Sequence, residues 1–141
     1  MEHDKALGLL SLARKAGRIE VGEATVSIAA RAGKARLVLV ASDASDHTLR
    51  KTQNLVAGTK QPLLKVPYDK DTLGNTVGYS AISVCALTDP ALALHFVRAL
   101  EPEAQDAELT ALLLERAEKA RRRQAEQKAH RANVRRGKKK S

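Results

Sequence analysis

The chain has 141 residues, enough for one domain with a modest core plus a tail, and too few for two full domains. Aromatic residues make up only 2%, so the core must be built from Ala, Leu, Val and Ile. The 25 Lys and Arg residues against 16 Asp and Glu give a formal net charge of +9, which favours a polyanionic partner, most commonly nucleic acid.

The first half of the chain alternates helical and strand patterns. Apolar residues at helical spacing predict a first helix from Asp4 to Ala16, and alternation over Ile19–Val21 predicts a short edge strand. Glycines bound a second helical stretch, Gly22 to Gly33. The continuous apolar run Arg36–Ala41 is typical of a strand covered on both faces, so it predicts a central strand. A third helix is expected from about Thr48 to Ala57.

The second half continues the alternation. It predicts a short strand over Leu63–Val66, a helical turn from Asp69 to Thr76, a strand from Ile82 to Leu87, and a last domain helix that begins at Pro90. Such alternation is typical of a compact α/β domain. We therefore predict a three-layer α/β/α sandwich with a roughly four-stranded mixed sheet over residues 1 to 100.

Residues 101 to 141 form a tail that is first acidic and then basic. Residues 1 to 100 carry 13 basic and 9 acidic side chains, net +4, whereas residues 119 to 141 carry 11 and 1, net +10. A leucine stripe (Leu109, Leu112, Leu113 and Ala117) predicts a helix that frays into disorder. Charge runs are often only solvated, but this density suits phosphate contacts by Arg121, Arg122, Arg123, Arg135, Arg136, Lys138, Lys139 and Lys140.

No set of side chains indicates catalysis. The four histidines lack a ligand spacing, Cys85 lies in an apolar run where a thiol is inert, and Asp43 and Asp46 are interpreted as helix caps. We therefore predict no enzymatic activity, metal, cofactor or small-molecule substrate. A lone cysteine and no run of roughly 18 apolar residues predict a cytoplasmic protein without membrane association.

The start of the second helix is a candidate RNA site. Gly22 precedes Glu23, Ala24 and Thr25, and the free N–H groups and positive dipole end of a helix start hold phosphates or base edges. Further cations lie nearby in sequence, among them Arg18, Arg31 and Lys34. The alternative is an ordinary solvated helix capped by Glu23 or Thr25. Composition favours neither.

Three segments together resemble the kink-turn RNA-binding ribosomal protein superfamily, large-subunit proteins of the seven-Ae and thirty-e type. They are Gly22 to Gly33, Ala35 to Ser45, and Leu73-Gly74-x-x-x-Gly78. The resemblance spans roughly residues 4 to 100, and Thr88-Asp89 before the last helix is similar to the short bacterial branch. It implies structured RNA as the partner, ribosomal RNA foremost, with ribosomal proteins as further partners.

In that family a Gly-x-Asn-Glu-x-x-Lys segment contacts the sheared G·A pairs of a kink-turn. Gly22 matches, whereas the Asn, Glu and Lys positions are Ala24, Thr25 and Ile28. The pair Gly22-Glu23 agrees with a bacterial variant in which backbone contacts remain. The family's second contact packs a loop on a flipped-out nucleotide, and the resemblance assigns it to Val77, Gly78, Tyr79 and Ser80.

Tyr79 is the stacking candidate in that loop, because aromatic rings stack on unpaired bases. The alternative is a rim residue that covers the core.

The sequence thus predicts a non-catalytic, ribosomal or ribosome-associated protein that recognises kinked RNA and grips phosphates with its tail. The alternative is a protein-interaction or ribosome-assembly module, in which the leucine stripe docks on a partner and the domain no longer reads RNA. An RNA-modifying enzyme is disfavoured, because no cofactor-binding domain follows residue 100.

Overall fold

A computed structural model describes residues 4 to 139, and the side chains of residues 4 to 135. The helices and strands follow one another as α1 (Lys5–Lys15), β1 (Ile19–Val21), α2 (Glu23–Arg31), β2 (Leu37–Val40), α3 (Asp46–Val56), β3 (Leu63–Lys65), α4 (Lys70–Val77), β4 (Val84–Leu87), α5 (Pro90–Ala99), a 3-10 turn (Pro102–Ala104) and α6 (Ala107–Lys139). No helix among the described residues is long and apolar enough to cross a membrane.

The four strands form one mixed sheet in the order β1-β4-β2-β3. Strand β4 pairs antiparallel with both β1 and β2, and β2 pairs parallel with β3. The inner strands β2 and β4 are buried at every residue, which explains their uninterrupted apolar sequences. The predicted mixed sheet and its central strand are confirmed.

Helices cover both faces of the sheet. On one face α1, α4, α5 and the first part of α6 pack on Leu37, Leu39 and Leu87, around the fully buried Phe96. On the other face α2 and α3 pack on Val38 and neighbouring side chains of β4. The predicted three-layer sandwich is therefore confirmed.

Different helices begin at the two ends of the sheet. We use "upper end" for the end that holds Val21, Val40 and Val84, and "lower end" for the end that holds Ile19 and Leu87. Helices α2, α3 and α4 each follow a strand that finishes at the upper end, so all three begin there. Helix α5 begins at the lower end, because it follows β4.

The predicted last strand is shorter than expected. It begins at Val84, because the N–H of Ile82 donates to the carbonyl of Lys70 in α4 (3.0 Å) and does not join the sheet. The predicted tail helix is confirmed, but it does not fray within the described residues, since α6 is one helix of 33 residues. At 1.5 Å per residue it is about 50 Å long.

Apolar residues of the tail helix pack on the domain itself. Leu113 is 1% exposed, and Leu109, Leu114 and Ala117 pack with it on the core formed by α5. Leu112 is half-buried and is not among the residues of this cluster. For Leu109, Leu113 and Ala117 the hypothesis of docking on another protein is wrong, because the molecule itself covers them, which is the ordinary outcome for an amphipathic helix.

Candidate nucleic-acid interface

The start of α2 is shaped by Gly22. This residue has φ +95° and ψ 157°, a region that is nearly confined to glycine. Its N–H donates to the carbonyl of Val84 (2.9 Å), so the turn from β1 into α2 is fixed to the first residue of β4. The first turn of α2 is thereby held at the upper end of the sheet.

Helix α2 begins without a side-chain cap. The other five α-helices of the described chain begin with a side-chain oxygen that accepts a backbone N–H bond, contributed by Asp4, Ser45, Asp69, Asp89 and Asp106. At α2 no such bond is formed. The N–H groups of its first turn therefore keep their capacity to donate to a ligand.

The alternative in which Glu23 or Thr25 caps this helix does not hold. The hydroxyl of Thr25 donates backwards to the carbonyls of Val21 and Gly22, and the Glu23 carboxylate lies 3.8 Å from the ammonium of Lys51 on α3. Because its proton is committed to the backbone, the Thr25 hydroxyl can only accept a bond from a ligand.

Two further residues cap differently from the prediction. Ser45, not Asp43 or Asp46, caps α3, and the Asp43 carboxylate accepts the N–H of Lys70 at the start of α4 (2.9 Å). Asp43 therefore ties the loop after β2 to α4, a contact between residues distant in sequence.

The outer face of α2 carries the positions at which the family has Asn, Glu and Lys. Ala24, Thr25 and Ile28 are all exposed, and Ile28 has 69% of its surface in solvent. The opposite face of the helix, with Val26 and Ala30, is buried. The fold thus presents these three positions outward, but with apolar groups in place of most base-reading ones.

The Tyr79 loop (Gly78–Ser83) joins α4 to β4. Gly78 ends α4 with a left-handed conformation, φ +87°, and the N–H of Tyr79 donates to the carbonyl of Gly74 (2.7 Å). The loop then crosses Gly74 so closely that a Cβ there would lie 2.7 Å from the backbone nitrogen of Ala81. Both glycines of the Leu73-Gly74-x-x-x-Gly78 motif are therefore required by the shape of this loop.

Tyr79 lies against a residue that the sequence analysis did not include. The Arg14 guanidinium donates to the Tyr79 hydroxyl (3.4 Å), and its central carbon lies 5.3 Å from the ring centroid. Tyr79 is 43% exposed, whereas Val77 is buried in the core. Of the four predicted loop residues, Val77 has a structural role, and Gly78, Tyr79 and Ser80 are accessible. Arg14 was missed because its proximity to Tyr79 depends on the packing of α1 beside α4.

The three cations predicted beside the helix start lie elsewhere. Arg31 ends α2 and Lys34 follows it, and Arg18 immediately precedes β1, where its carbonyl accepts the N–H of Thr88 (3.0 Å) at the lower end. A groove between α2 and β1 runs from Thr25 past Ile28 to Arg18, Lys34 and Arg36. The structure therefore connects these residues by a surface track and does not gather them into one site.

The tail cations lie on α6. Arg121, Arg122, Arg123 and Arg135 are exposed, whereas the side chains of Arg136, Lys138, Lys139 and Lys140 lie outside the described residues. Among the described side chains the only ion pair is that of Glu23 with Lys51. The exposed arginines of α6 thus retain their full charge for a polyanion.

The interior offers little reactive chemistry. Cys85 is fully buried in β4, and burial raises the pKa of its thiol to about 12, so it is protonated at neutral pH. In the part of the chain that the structure describes, no three His, Cys, Asp or Glu side chains are placed to hold a metal ion.

The fold is that of a small α/β domain with cationic grooves on its surface. The model of the ribosomal protein L7Ae/L30e/S12e/Gadd45 family matches residues 4–93. The chain belongs to this family.

Relatives of the chain agree with that assignment. RNA-binding protein YlxQ of Bacillus subtilis (strain 168) is 34% identical over 93 residues, which is 66% of this chain and 92% of that protein. A solved structure of a protein of unknown function from Bacillus halodurans has a TM-score of 0.64 at 29% identity, over 69% of this chain and 97% of that one. The 15.5kD RNA binding protein of Giardia lamblia shares the fold, with a TM-score of 0.54 at 16% identity over 84% and 92% of the two chains.

Proposed function

We propose that the protein recognises kinked, structured RNA, with the upper end of the sheet as the docking face. RNA binding without catalysis is the general function of the chain, in keeping with its family and with the YlxQ relative. The proposal adds two specific statements to this general function: the bound RNA contains a kink-turn, and it is ribosomal RNA.

The observation that carries the proposal is the uncapped start of α2. Five helices satisfy their first N–H groups with a side chain and this one leaves them free, at the position where the resemblance places RNA. Free N–H groups at the positive end of a helix dipole favour phosphate oxygens and base-edge acceptors. Backbone contacts of this kind do not need the missing Asn, Glu and Lys.

The side chains around the helix start favour shape recognition. Ala24 and Ile28 offer no hydrogen bonds, and Thr25 only accepts, so the outer face of α2 suits the sugars and the minor-groove surface of a bent RNA. Tyr79, oriented by Arg14, supplies a ring on which an unstacked base can lie. Specificity then comes from the bend more than from the base sequence.

A restoration experiment tests this docking face. Ala24→Asn, Thr25→Glu and Ile28→Lys together restore the family's polar residues at three exposed positions and leave the net charge unchanged. We expect tighter binding to a kink-turn duplex and little change for a straight duplex, measured by titration at about 150 mM salt. One restored base-edge contact is worth about 1–3 kcal/mol, or roughly 5- to 150-fold in affinity.

A matched control applies the same charge pattern elsewhere. Gln53→Glu with Asn54→Lys places one acid and one base on exposed positions of α3, outside the proposed face. If the control strengthens kink-turn binding as much as the restored variant, or if the unmodified protein binds both duplexes equally, the proposed docking face is wrong.

Ribosomal RNA is the source of RNA that we propose, with ribosomal proteins as neighbours and the cytoplasm as location. The test is crosslinking of the full chain in cells, followed by sequencing of the attached RNA. Enrichment of bent ribosomal segments is the expected result, and enrichment of other RNA classes alone would contradict it.

A further inference from the structure

A second basic surface lies at the lower end of the sheet, away from the start of α2. It is a cleft of about 460 Å³ between the domain and α6. Among the described residues its lining carries six cations and no carboxylate: Arg31, Arg36, Lys60, Arg116, Lys119 and Arg123. Like charges at such density repel one another unless an anion lies among them.

The domain wall of this cleft is held rigidly by Gln61. Its side-chain oxygen accepts the N–H of Ala35 (3.0 Å), and its side-chain nitrogen donates to the carbonyl of Ala30 (2.9 Å). One side chain thereby ties the loop after α3 to the end of α2 and to the start of β2. Arg31, Arg36 and Lys60, which flank these bonds, are therefore presented by fixed backbone.

The positions of the cations on the α6 wall of the cleft are also fixed by the fold. Arg116, Lys119 and Arg123 recur at positions i, i+3 and i+7, so they form one stripe along the helix. The buried Leu113 anchors the preceding turn on α5 and fixes the rotation of the helix. Positive charge without a neighbouring carboxylate thus lies on the flank of α6 that faces α2, and a further patch of Arg121, Lys128 and Arg131 lies along the same helix.

The other flank of α6 differs. There Glu118 lies in a groove with Asp89, among cations such as Arg121, so both signs of charge are present. The asymmetry between the two flanks argues for a ligand on the first.

We propose that this cleft binds the phosphate backbone of an RNA stem, as a second contact to the same RNA that docks at the start of α2. The inference rests on the proposed function above. Guanidinium and ammonium groups bind phosphate oxygens well, and among the described residues the lining has no aromatic side chain on which a base could stack.

The path between the two contacts is continuous. Arg36 lines both the cleft and the groove that leads from Thr25 past Ile28 along α2. A stem that leaves the upper end along this groove therefore reaches the cleft without crossing acidic surface other than Glu20.

The α6 contact is an addition to the family domain. The family match ends at residue 93, before α6 begins. Helix α6 thus forms one wall of a composite site, in which residues of the domain and residues of α6 hold the same RNA phosphate backbone.

The test compares two triple variants of the full chain. The cleft variant is Arg116→Gln, Lys119→Gln and Arg123→Gln, and the control variant is Lys5→Gln, Arg50→Gln and Arg98→Gln, which removes the same charge at exposed positions of α1, α3 and α5 outside the cleft. None of the six side chains is buried in the core, so both variants should fold. Affinity for a kink-turn duplex with a long stem is measured from about 50 to 200 mM salt, with hydroxyl-radical footprints of the RNA.

The cleft variant should lose three phosphate contacts. Its plot of log affinity against log salt should be less steep by about 2.1 to 2.7, which is about 0.7 to 0.9 for each contact, so the affinity difference from the unmodified protein changes about 20- to 40-fold across this range. Protection of the stem should disappear, while protection at the kink remains. The control variant should change the slope much less and keep both protections.

Two results separate the proposals. Equal loss of slope in the cleft and control variants, or unchanged stem protection in the cleft variant, would overturn the cleft. If the unmodified protein does not prefer the kinked duplex but the cleft variant alone loses slope and stem protection, the kink-turn proposal fails and the cleft stands.

Discussion

Replacing Gly74 with alanine has two opposing effects on stability: it raises the helix propensity of α4, and it introduces a close contact with the Tyr79 loop. The residue lies inside α4, where alanine is favoured over glycine by about 1 kcal/mol. A Cβ at this position would, however, lie 2.7 Å from the nitrogen and 2.8 Å from the Cα of Ala81, and 2.9 Å from the carbonyl carbon of Ser80. All three are backbone atoms of the Tyr79 loop, so no side chain can rotate away.

The size of the effect follows from these distances. Non-bonded heavy atoms pack at about 3.5 Å, so the loop must move by roughly 0.8 Å from its 2.7 Å approach. Overpacking of this kind costs about 1–3 kcal/mol, which outweighs or cancels the gain in propensity. We expect Gly74→Ala to be destabilising by about 0–2 kcal/mol and to weaken RNA binding, because Tyr79 moves with its loop.

Asn75→Ala is the matched control. Asn75 is the exposed neighbour in the same helix, so its replacement adds propensity without a new contact with the loop. Urea unfolding and titration with a kink-turn duplex are measured for both variants. A Gly74→Ala protein that is stabilised as much as Asn75→Ala, with unchanged RNA affinity, would refute the requirement for glycine and the link from this loop to RNA.

Two further predictions concern the core. Leu113→Ala should lower the free energy of unfolding by about 2–5 kcal/mol and release α6 from α5, which would be seen as faster tryptic cleavage after residue 107. Leu112→Ala should lower it less, because Leu112 is only half-buried. Equal effects of the two variants would contradict the docking of α6 on α5. Cys85 stabilises the fold fully below its ordinary pKa of 9.0, and this contribution should decline as pH rises from 9.0 towards the folded pKa of about 12, because only the unfolded chain ionises there. A Cys85→Ala protein should lack that part of the alkaline decline in urea unfolding, and an identical decline in both would contradict the burial of the thiol.

The sequence was most informative where one local rule decided the structure. The unbroken apolar runs of β2 and β4 indicated strands covered on both faces, and Pro90 marked the first residue of α5. The predicted start of β4 was wrong because a hydrogen bond to a residue distant in sequence decides it. Ile82 was assigned to a strand by its apolar pattern, but its N–H is taken by Lys70.

The residues of the proposed docking face follow in part from the sequence. Gly22, the positions Ala24, Thr25 and Ile28, and the Tyr79 loop came from the order of residues, since a motif lies on neighbouring turns of one element. The sequence left open whether Glu23 or Thr25 caps α2, and only the structure shows that Thr25 bonds carbonyls and that Glu23 pairs with Lys51 on α3.

Amino-acid order by itself determined that this chain would form a three-layer domain, remain strongly basic and offer a glycine-led helix start to a polyanion. These properties depend on composition, periodicity and local backbone geometry. Only the tertiary structure decided where the charge lies. It separated Arg18, Arg31 and Lys34 from the helix start and packed Leu109, Leu113 and Ala117 on the core formed by α5. By fixing the rotation of α6, it brought Arg116, Lys119 and Arg123 beside Arg31, Arg36 and Lys60, because side chains far apart in the chain meet only through packing.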